Sequence, residues 1–257
     1  IRGDTSKNIK SGECSEIENN DMDDKKHTEI MTSILYDTKK PIPKDYKKIN
    51  EKYRWLASNG FDVVSSQFSM HYYFSSETNF MGFLNNLKEN VKVGGYFIGT
   101  CYDGMEIFKY FQTQRERYKE IQGEQESSED DSSEQSLSSS EEEEEEDPNP
   151  FGINQMSFKD PMGNLIYSVD AKYDIENFDY NPENTDNMFG NEIDVYMESI
   201  GQKITEYLVN FDFVKDIMKD NGFELDIPKD MDPRYSQILR QDYFENDLGS
   251  FRKVIEN

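Results

Sequence analysis

The sequence predicts an α/β domain whose sheet is partly parallel, with an inserted antiparallel hairpin and a disordered acidic loop. Two buried runs with an amphipathic helix between them predict the parallel part, because a strand, a helix and a strand in this order make a crossover. A later pair of β-rich runs predicts the hairpin. A tract of serine and glutamate between these parts predicts the loop.

The first predicted strand covers residues 61–68. Its apolar run from Phe61 to Val64 is typical of a strand that is buried on both faces. Ligands in open parallel sheets bind beyond the carboxyl ends of the strands. We therefore expect a site after Val64, where the polar and aromatic side chains are Gln67, His71 and Tyr72.

The crossover helix is predicted from apolar residues on one face of a 3.6-residue period, namely Phe80, Leu84, Leu87 and Val91. Ser75 or Ser76 is expected to cap the start of this helix, and Gly94-Gly95 is expected to end it. The second strand then covers residues 96–100, parallel to the first.

The remaining helices and strands are predicted from the same kinds of sequence pattern. Helices are predicted near residues 27–36, 45–57, 106–122 and 205–221. The runs 164–170 and 192–200 predict the antiparallel pair, a short strand is expected at 223–227, and polar helix or loop after it. Glu206 would then lie in the first turn of a helix, where the helix dipole favours a carboxylate.

Charge and cysteine content limit the classes of function. The net charge is −25, but residues 123–147 hold 13 acidic side chains and no Lys or Arg, which leaves about −12 for the rest. We interpret this tract as a solvated loop, with binding to a basic partner as the alternative. Two cysteines make no disulfide framework or zinc site, which fits a reducing intracellular compartment. The sequence has no run of about 18 apolar residues, so no membrane span is predicted.

Several motifs in order resemble the mRNA cap guanine-N7 methyltransferases, most closely the versions fused in capping enzymes of large DNA viruses. The resemblance is carried by Gly3-Asp4-Thr5-Ser6-Lys7, Gln67-Phe68-Ser69-Met70-His71-Tyr72, Gly94-Gly95-Tyr96-Phe97-Ile98-Gly99-Thr100, Phe189-Gly190-Asn191-Glu192-Ile193-Asp194-Val195-Tyr196 and Thr205-Glu206-Tyr207-Leu208-Val209. It implies a class I, Rossmann-like fold that uses S-adenosylmethionine (AdoMet), partial in this chain.

The resemblance also implies the roles of five residues. Asp4 and Gln67 would contact the adenine end of AdoMet, and Tyr72 would lie between AdoMet and the guanine. His71 and Glu206 would contact the cap guanine. No catalytic residue and no metal are expected, because N7 of guanine has a lone pair and no proton, so that positioning supplies the catalysis.

One segment departs from the family pattern. Thr100-Cys101-Tyr102-Asp103-Gly104 stands where other members often have Thr-Pro-Asn or Thr-x-Pro, so no cap contact is carried over to it. The basic residues that would hold the cap triphosphate are not evident either. The implied partners are the capped 5′ end of mRNA and other capping-enzyme domains, a triphosphatase and a guanylyltransferase.

The resemblance divides the chain into three parts. Residues 1–122 would be the central part of a methyltransferase domain, 123–150 the acidic insertion, and 151–257 the hairpin and the C-terminal part. The glycine-rich AdoMet loop and the acidic ribose contact of the family are not found, so we expect a fragment that binds AdoMet poorly alone. A virion or host cytoplasm would be the location of a viral member, and the nucleus that of a cellular one.

Other interpretations stay open. Gln67 at a strand end is also suited to capping backbone groups, and His71 with Tyr72 to being an ordinary half-buried pair. At the level of the protein, the alternatives are a non-catalytic methyltransferase-like subunit that stimulates a true enzyme, and an AdoMet methyltransferase with another substrate.

Overall fold

The computed structural model describes residues 3–15, 22–128, 153–226 and 250–253, which fold into two four-stranded sheets with helices packed against them. The helices are α1 (Met22–Tyr36), α2 (Lys47–Tyr53), α3 (Glu77–Asn90), α4 (Gly104–Ser128) and α5 (Phe211–Asp220). The strands are β1 (Phe61–Gln67), β2 (Val91–Thr100), β3 (Gln155–Lys159), β4 (Leu165–Ala171), β5 (Glu192–Met197), β6 (Gln202–Tyr207), β7 (Phe223–Asp226) and β8 (Ser250–Lys253).

The first sheet has the order β1-β2-β8-β7. β1 and β2 are parallel and joined through α3, with Gln67 opposite Thr100, so the predicted crossover is confirmed. β8 runs antiparallel to both of its neighbours. The expectation of helix or loop is therefore wrong for Ser250–Lys253, whereas residues 227–249 lie outside the described part of the chain.

β1 is not buried on both faces as the sequence predicted. Val64 and Ser66 face α3 and the core, but Phe61 and Val63 on the other face are 37% and 53% exposed. Little of the described structure packs on this second face, as the exposure of Phe61 and Val63 shows. A continuous apolar run signals hydrophobicity but does not say which neighbours will cover it.

The start of α3 was predicted correctly and its end was not. The hydroxyl of Ser76 accepts a hydrogen bond from the backbone N–H of Asn79, as an N-cap does. The chain turns directly from Asn90 into β2, so Gly94 and Gly95 lie inside a strand and do not end the helix. A side chain at Gly95 would approach the carbonyl oxygen of Asp62 to 2.9 Å, which explains the glycine by close contact with β1.

The second sheet is an antiparallel meander in the order β3-β4-β5-β6. The predicted pairing of 164–170 with 192–200 is confirmed as β4 with β5, while β3 and β6 were missed. Glu206 therefore lies in a strand, opposite Ile193, and not in a helix. α5 begins only after Asn210, whose side chain accepts a hydrogen bond from the N–H of Phe213.

One apolar core joins the two sheets. It includes Leu84 and Phe97 from the first sheet and its helix, Val169 and Val195 from the second sheet, and Val214 from α5. α4 extends to Ser128, beyond its predicted end at residue 122, and residues 129–150 of the acidic insertion lie outside the described residues.

Candidate functional site

The candidate site lies where the end of β1 meets β6. A short 3-10 helix, Met70–Ser75, follows β1 and carries His71 and Tyr72. Its last turn is tied to the second sheet through the N–H of Gly190, which donates to the carbonyl of Phe74 at 2.9 Å. This packing brings residues that are 135 positions apart in sequence, His71 and Glu206, into contact.

His71 and Glu206 form a buried polar pair. Nε2 of the imidazole lies 3.5 Å from Oε1 of the carboxyl group, a distance longer than an ordinary N–H···O hydrogen bond. The exposed fraction is 2% for His71 and 7% for Glu206. Both nitrogens of His71 and Oε2 of Glu206 have no hydrogen-bond partner among the described residues. Buried polar atoms are rarely left so, which makes them candidates for contact with a ligand.

Burial shifts both titrations toward the neutral forms. Loss of hydration lowers the pKa of His71 to about 4 and raises the pKa of Glu206 to about 7. At pH 6 the imidazole is thus neutral and most of the carboxyl is protonated. A ligand that donates hydrogen bonds to Glu206 would stabilise the carboxylate instead.

Three tyrosines surround the Glu206 carboxyl. The ring of Tyr72 meets the His71 ring edge-on, with centroids 4.3 Å apart, and the ring of Tyr102 lies nearly parallel to it at 5.9 Å and 25°. Burial, together with the negative charge of Glu206, raises the pKa of Tyr72 and of Tyr102. Burial raises the pKa of Tyr167 as well, and the negative charges of Tyr102 and Glu206 raise it further. The result is a buried carboxyl group with aromatic rings beside it, and we call this group of residues the Glu206 pocket.

Gln67 lies at the open end of β1 and is held in place by its neighbours. Its Oε1 accepts a hydrogen bond from the hydroxyl of Thr100 at 3.0 Å, and its Nε2 donates to the hydroxyl of Ser65 at 2.9 Å. The N–H of Phe68 donates to the same Thr100, both to its carbonyl and to its hydroxyl. These bonds fix the direction in which the chain leaves the strand.

The segment with Asp4 is a folded turn lying against α3. Oδ1 of Asp4 accepts from both the N–H and the hydroxyl of Ser6, at 2.9 and 2.7 Å. The buried side chain of Asn86 accepts from the N–H of Ile9 and donates to the carbonyls of Thr5 and Lys7. Asn86 thereby makes three hydrogen bonds that hold this segment to the helix.

A cleft of about 280 Å³ separates the turn from the end of β1. Thr5 and Gln67 line it from opposite sides, and Tyr73 closes it with a hydroxyl that is hydrogen-bonded to Thr5. The neighbouring residues His71 and Tyr72 face the Glu206 pocket instead. The structure thus places Gln67 in this cleft, groups His71 and Tyr72 with Glu206, and places Asp4 in the turn next to Thr5.

Some residues of the site gave no usable signal in the sequence. Asn86 is a polar residue within an amphipathic helix, and only its contacts show that it holds the Asp4 turn. Tyr102 stands in the segment that departs from the family pattern, yet it is stacked beside His71. Tyr167 was visible only as one member of an alternating strand. Among the described residues, no three of His, Cys, Asp or Glu are grouped so as to hold a metal ion.

The sequence is similar to known proteins of one kind. Residues 17–143 match the family model described as the mRNA (guanine-N(7))-methyltransferase domain. The chain is 29% identical over 197 residues, 76% of its length, to an mRNA cap guanine-N(7) methyltransferase of Neosartorya fischeri. It is 24% identical over 70% of its length to the enzyme of the same name from Eremothecium gossypii. Over 63 residues, 24% of its length, it is 35% identical to a probable mRNA-capping enzyme of Acanthamoeba polyphaga mimivirus.

Together the matches show that this α/β chain, whose first sheet has one parallel and two antiparallel strand pairs, is similar to methyltransferases. More narrowly, the matches support the resemblance to the mRNA cap guanine-N7 methyltransferases that the motifs indicated. The chain spans 26% and 32% of the two fungal relatives and 5% of the viral one. No helix in the described ranges is long and apolar enough to cross a membrane.

Proposed function

We propose that this chain forms the guanine-binding part of an enzyme that transfers a methyl group from AdoMet to N7 of the mRNA cap guanine. The observation that carries the proposal is the buried pair of His71 and Glu206, whose inward polar atoms have no partner within the described structure. A guanine edge offers two neighbouring donors, N1–H and the N2 amino group. A carboxylate is the side chain that accepts from both.

Glu206 would then act through binding that strengthens during the reaction. Methylation at N7 makes the guanine cationic, so the attraction of the ring to an ionised carboxylate is larger in the transition state than in the ground state. His71 would bind the base as a neutral imidazole, in keeping with its lowered pKa of about 4. It is assigned no proton transfer, because N7 carries no proton.

The cleft beside Gln67 fits one end of AdoMet. Its volume of about 280 Å³ lies below the range of about 300–1,000 Å³ typical of pockets that enclose a whole drug-sized ligand. We assign the adenine end to it, with Gln67 on one wall and Asp4 next to the other. When bound, AdoMet supplies an electrophilic methyl group on its sulfonium. Tyr72 would lie at the boundary between this cleft and the Glu206 pocket and help to align the guanine with that methyl group.

We extend the proposal to the partners and the location. The substrate would be the capped 5′ end of mRNA, and triphosphatase and guanylyltransferase domains would accompany the methyltransferase. A viral protein would act in the virion or the host cytoplasm, and a cellular one in the nucleus.

Methyl transfer by the full-length protein that contains this chain tests the proposal. Capped RNA should accept a labelled methyl group from AdoMet, and Glu206→Ala should reduce kcat/KM for the cap at least a hundredfold. Activity of Glu206→Ala equal to that of the unsubstituted protein would contradict the assignment of the pocket.

A further inference from the structure

An aromatic row leads from the Glu206 pocket to the edge of the second sheet. Phe158 on β3 and Tyr167 on β4 are cross-strand partners with ring centroids 6.3 Å apart. The hydroxyl of Tyr102 donates to Sδ of Met197, the cross-strand partner of Tyr167 on β5, and the Tyr102 ring is stacked beside His71. We call Tyr102, Tyr167 and Phe158 the aromatic row.

The outer end of the row is open to solvent. Phe158 is 59% exposed, although it lies on the sheet face that carries the buried core residues Val169 and Val195. The sheet therefore extends beyond the core, and Phe158 is exposed on the part that extends. Large exposed aromatic side chains that continue from a binding pocket are typical of surfaces that bind ligands.

A second exposed ring borders the row. Phe68 is 61% exposed, and its centroid lies 6.3 Å from that of Tyr102. Its backbone has a left-handed φ of 47°, which is uncommon for a bulky residue. The two hydrogen bonds from its N–H to Thr100 hold this conformation and keep the ring outside the strand.

The members of the row are uncharged, and the chain as a whole carries a charge of −25. Tight binding of phosphates needs clustered Lys and Arg side chains and is steeply salt-dependent. Single-stranded nucleic-acid sites combine a positively charged groove for the backbone with aromatic rings for the bases, and the stacking on those rings tolerates any base. The chemistry of the row therefore fits the bases of a single-stranded nucleic acid, which would follow directly from a guanine held at Glu206.

We propose that the aromatic row binds the first bases of the RNA that follows the cap, by stacking on Tyr167 and Phe158. This inference rests on the proposed function, because it takes the cap guanine to lie in the Glu206 pocket. It adds an RNA-body subsite that favours capped RNA over a cap dinucleotide.

The test compares two substrates in the full-length protein. KM is measured for a capped RNA of about ten nucleotides and for a cap dinucleotide, with Phe158→Ala and the unsubstituted protein. Stacking of one base on an aromatic ring contributes about 1–3 kcal/mol, so Phe158→Ala should raise KM for the RNA about fivefold or more. KM for the dinucleotide should stay within about twofold.

Ile166→Ala is the matched control. Ile166 adjoins Tyr167 on β4, is 43% exposed and lies on the opposite face of the sheet, so it should leave both KM values unchanged. The subsite is supported if Phe158→Ala loses the preference for RNA while Ile166→Ala keeps it. An equal KM of the unsubstituted protein for both substrates would overturn the subsite and leave the proposed function standing, whereas no methylation of either substrate would overturn both. An equal effect of Phe158→Ala on the two substrates would show that protein covers the row and would also overturn the subsite.

The salt dependence gives a second measurement. If stacking dominates, KM for the capped RNA should change less than about tenfold between 50 and 200 mM salt. A protein with 6–10 phosphate contacts loses about 10³–10⁵ in affinity over that range. A loss of a hundredfold or more would assign the RNA to a basic surface elsewhere and contradict the inference.

Discussion

Nε2 of His71 lies 3.5 Å from Oε1 of Glu206, and both residues are almost fully buried. Leaving a buried polar atom without a partner costs about 1–3 kcal/mol. Here the cost falls on both nitrogens of His71 and on Oε2 of Glu206. A site that is prepared for a ligand accounts for that cost, because the ligand supplies the missing partners.

Glu206 should be needed as an acceptor and not only for its shape. Glu206→Gln keeps the volume of the side chain but replaces one acceptor oxygen with a donor, which opposes the guanine amino group. We expect it to reduce kcat/KM for the cap by about 10²–10³, nearly as much as Glu206→Ala, with AdoMet affinity changed little. Asp194→Asn is the control, because that carboxylate lies on the other face of the sheet beside Thr205 and Lys172. Glu206→Gln with full activity would exclude the carboxylate contact.

The pH dependence should follow Glu206. Its pKa is raised to about 7, and the ionised form is the one that accepts from guanine. kcat/KM for the cap should therefore rise about tenfold per pH unit below 7 and level off above it. Steady-state rates between pH 5.5 and 8.5 measure this, and Glu206→Gln should give a flat profile. A profile of the unsubstituted protein that is flat, or falls with pH over this range, would contradict the assignment.

Stability should change with pH in the opposite direction. Because the pKa of the folded state lies above the ordinary value of 4.5, folding favours the protonated carboxyl group. The stabilisation is complete below pH 4.5 and is lost as the pH rises toward 7, by about 1–3 kcal/mol. Denaturant unfolding at pH 5 and pH 8 should show Glu206→Gln gaining stability relative to the unsubstituted protein. An unchanged difference between the two proteins would mean that Glu206 is not desolvated.

His71 should contribute to function at the expense of stability. His71→Phe replaces two unpartnered ring nitrogens with carbon in a buried position, so we expect unchanged or higher stability, by up to about 2 kcal/mol. The same change should lower kcat/KM for the cap at least tenfold. Thermal unfolding and steady-state kinetics measure the two effects. A destabilised His71→Phe protein with full activity would indicate a purely structural histidine.

Glycine at position 82 should be required for the segment that carries Asp4 to pack against α3. A Cβ atom at this position would lie 1.7 Å from the carbonyl oxygen of Ser6, so Gly82→Ala would push the segment off α3. Alanine is the better helix former, so any loss of function would not come from helix propensity. We expect AdoMet affinity to fall at least tenfold with cap affinity changed little, and Asn86→Ala to act in the same direction. Equal loss of both affinities would argue that the segment is general scaffold.

The crossover from β1 through α3 to β2 could be predicted because the sequence signals for it are local. The period of α3, the cap at Ser76 and the two apolar runs determine a parallel pair without reference to the rest of the chain. The end of α3 and the burial of β1 were mistaken, because both depend on what packs against them. Gly94-Gly95 is a typical helix stop, and close contact with β1 explains Gly95 equally well.

The structure brings the predicted site residues His71 and Glu206 into contact, but the prediction that Glu206 lies in a helix was wrong. The helix was predicted over residues 205–221 from its apolar period, but its first residues belong to β6. The segment from Thr205 to Val209 is compatible with either structure. Strand pairing with β5 decided the outcome. The neighbours of Glu206, such as Tyr102 and Tyr167, come from distant segments, and no local pattern predicts that they meet. The roles assigned to all five site residues stay predictions, namely Asp4, Gln67, His71, Tyr72 and Glu206.

The position of the transferred methyl group tests the central claim most directly. Capped RNA is incubated with AdoMet and the full-length protein, the cap is released by nuclease digestion, and the methylated nucleoside is identified by mass spectrometry. We predict 7-methylguanosine as the product, with its formation reduced at least a hundredfold by Glu206→Gln and unaffected by Asp194→Asn. A methyl group on another atom or nucleoside, or none at all, would contradict the account.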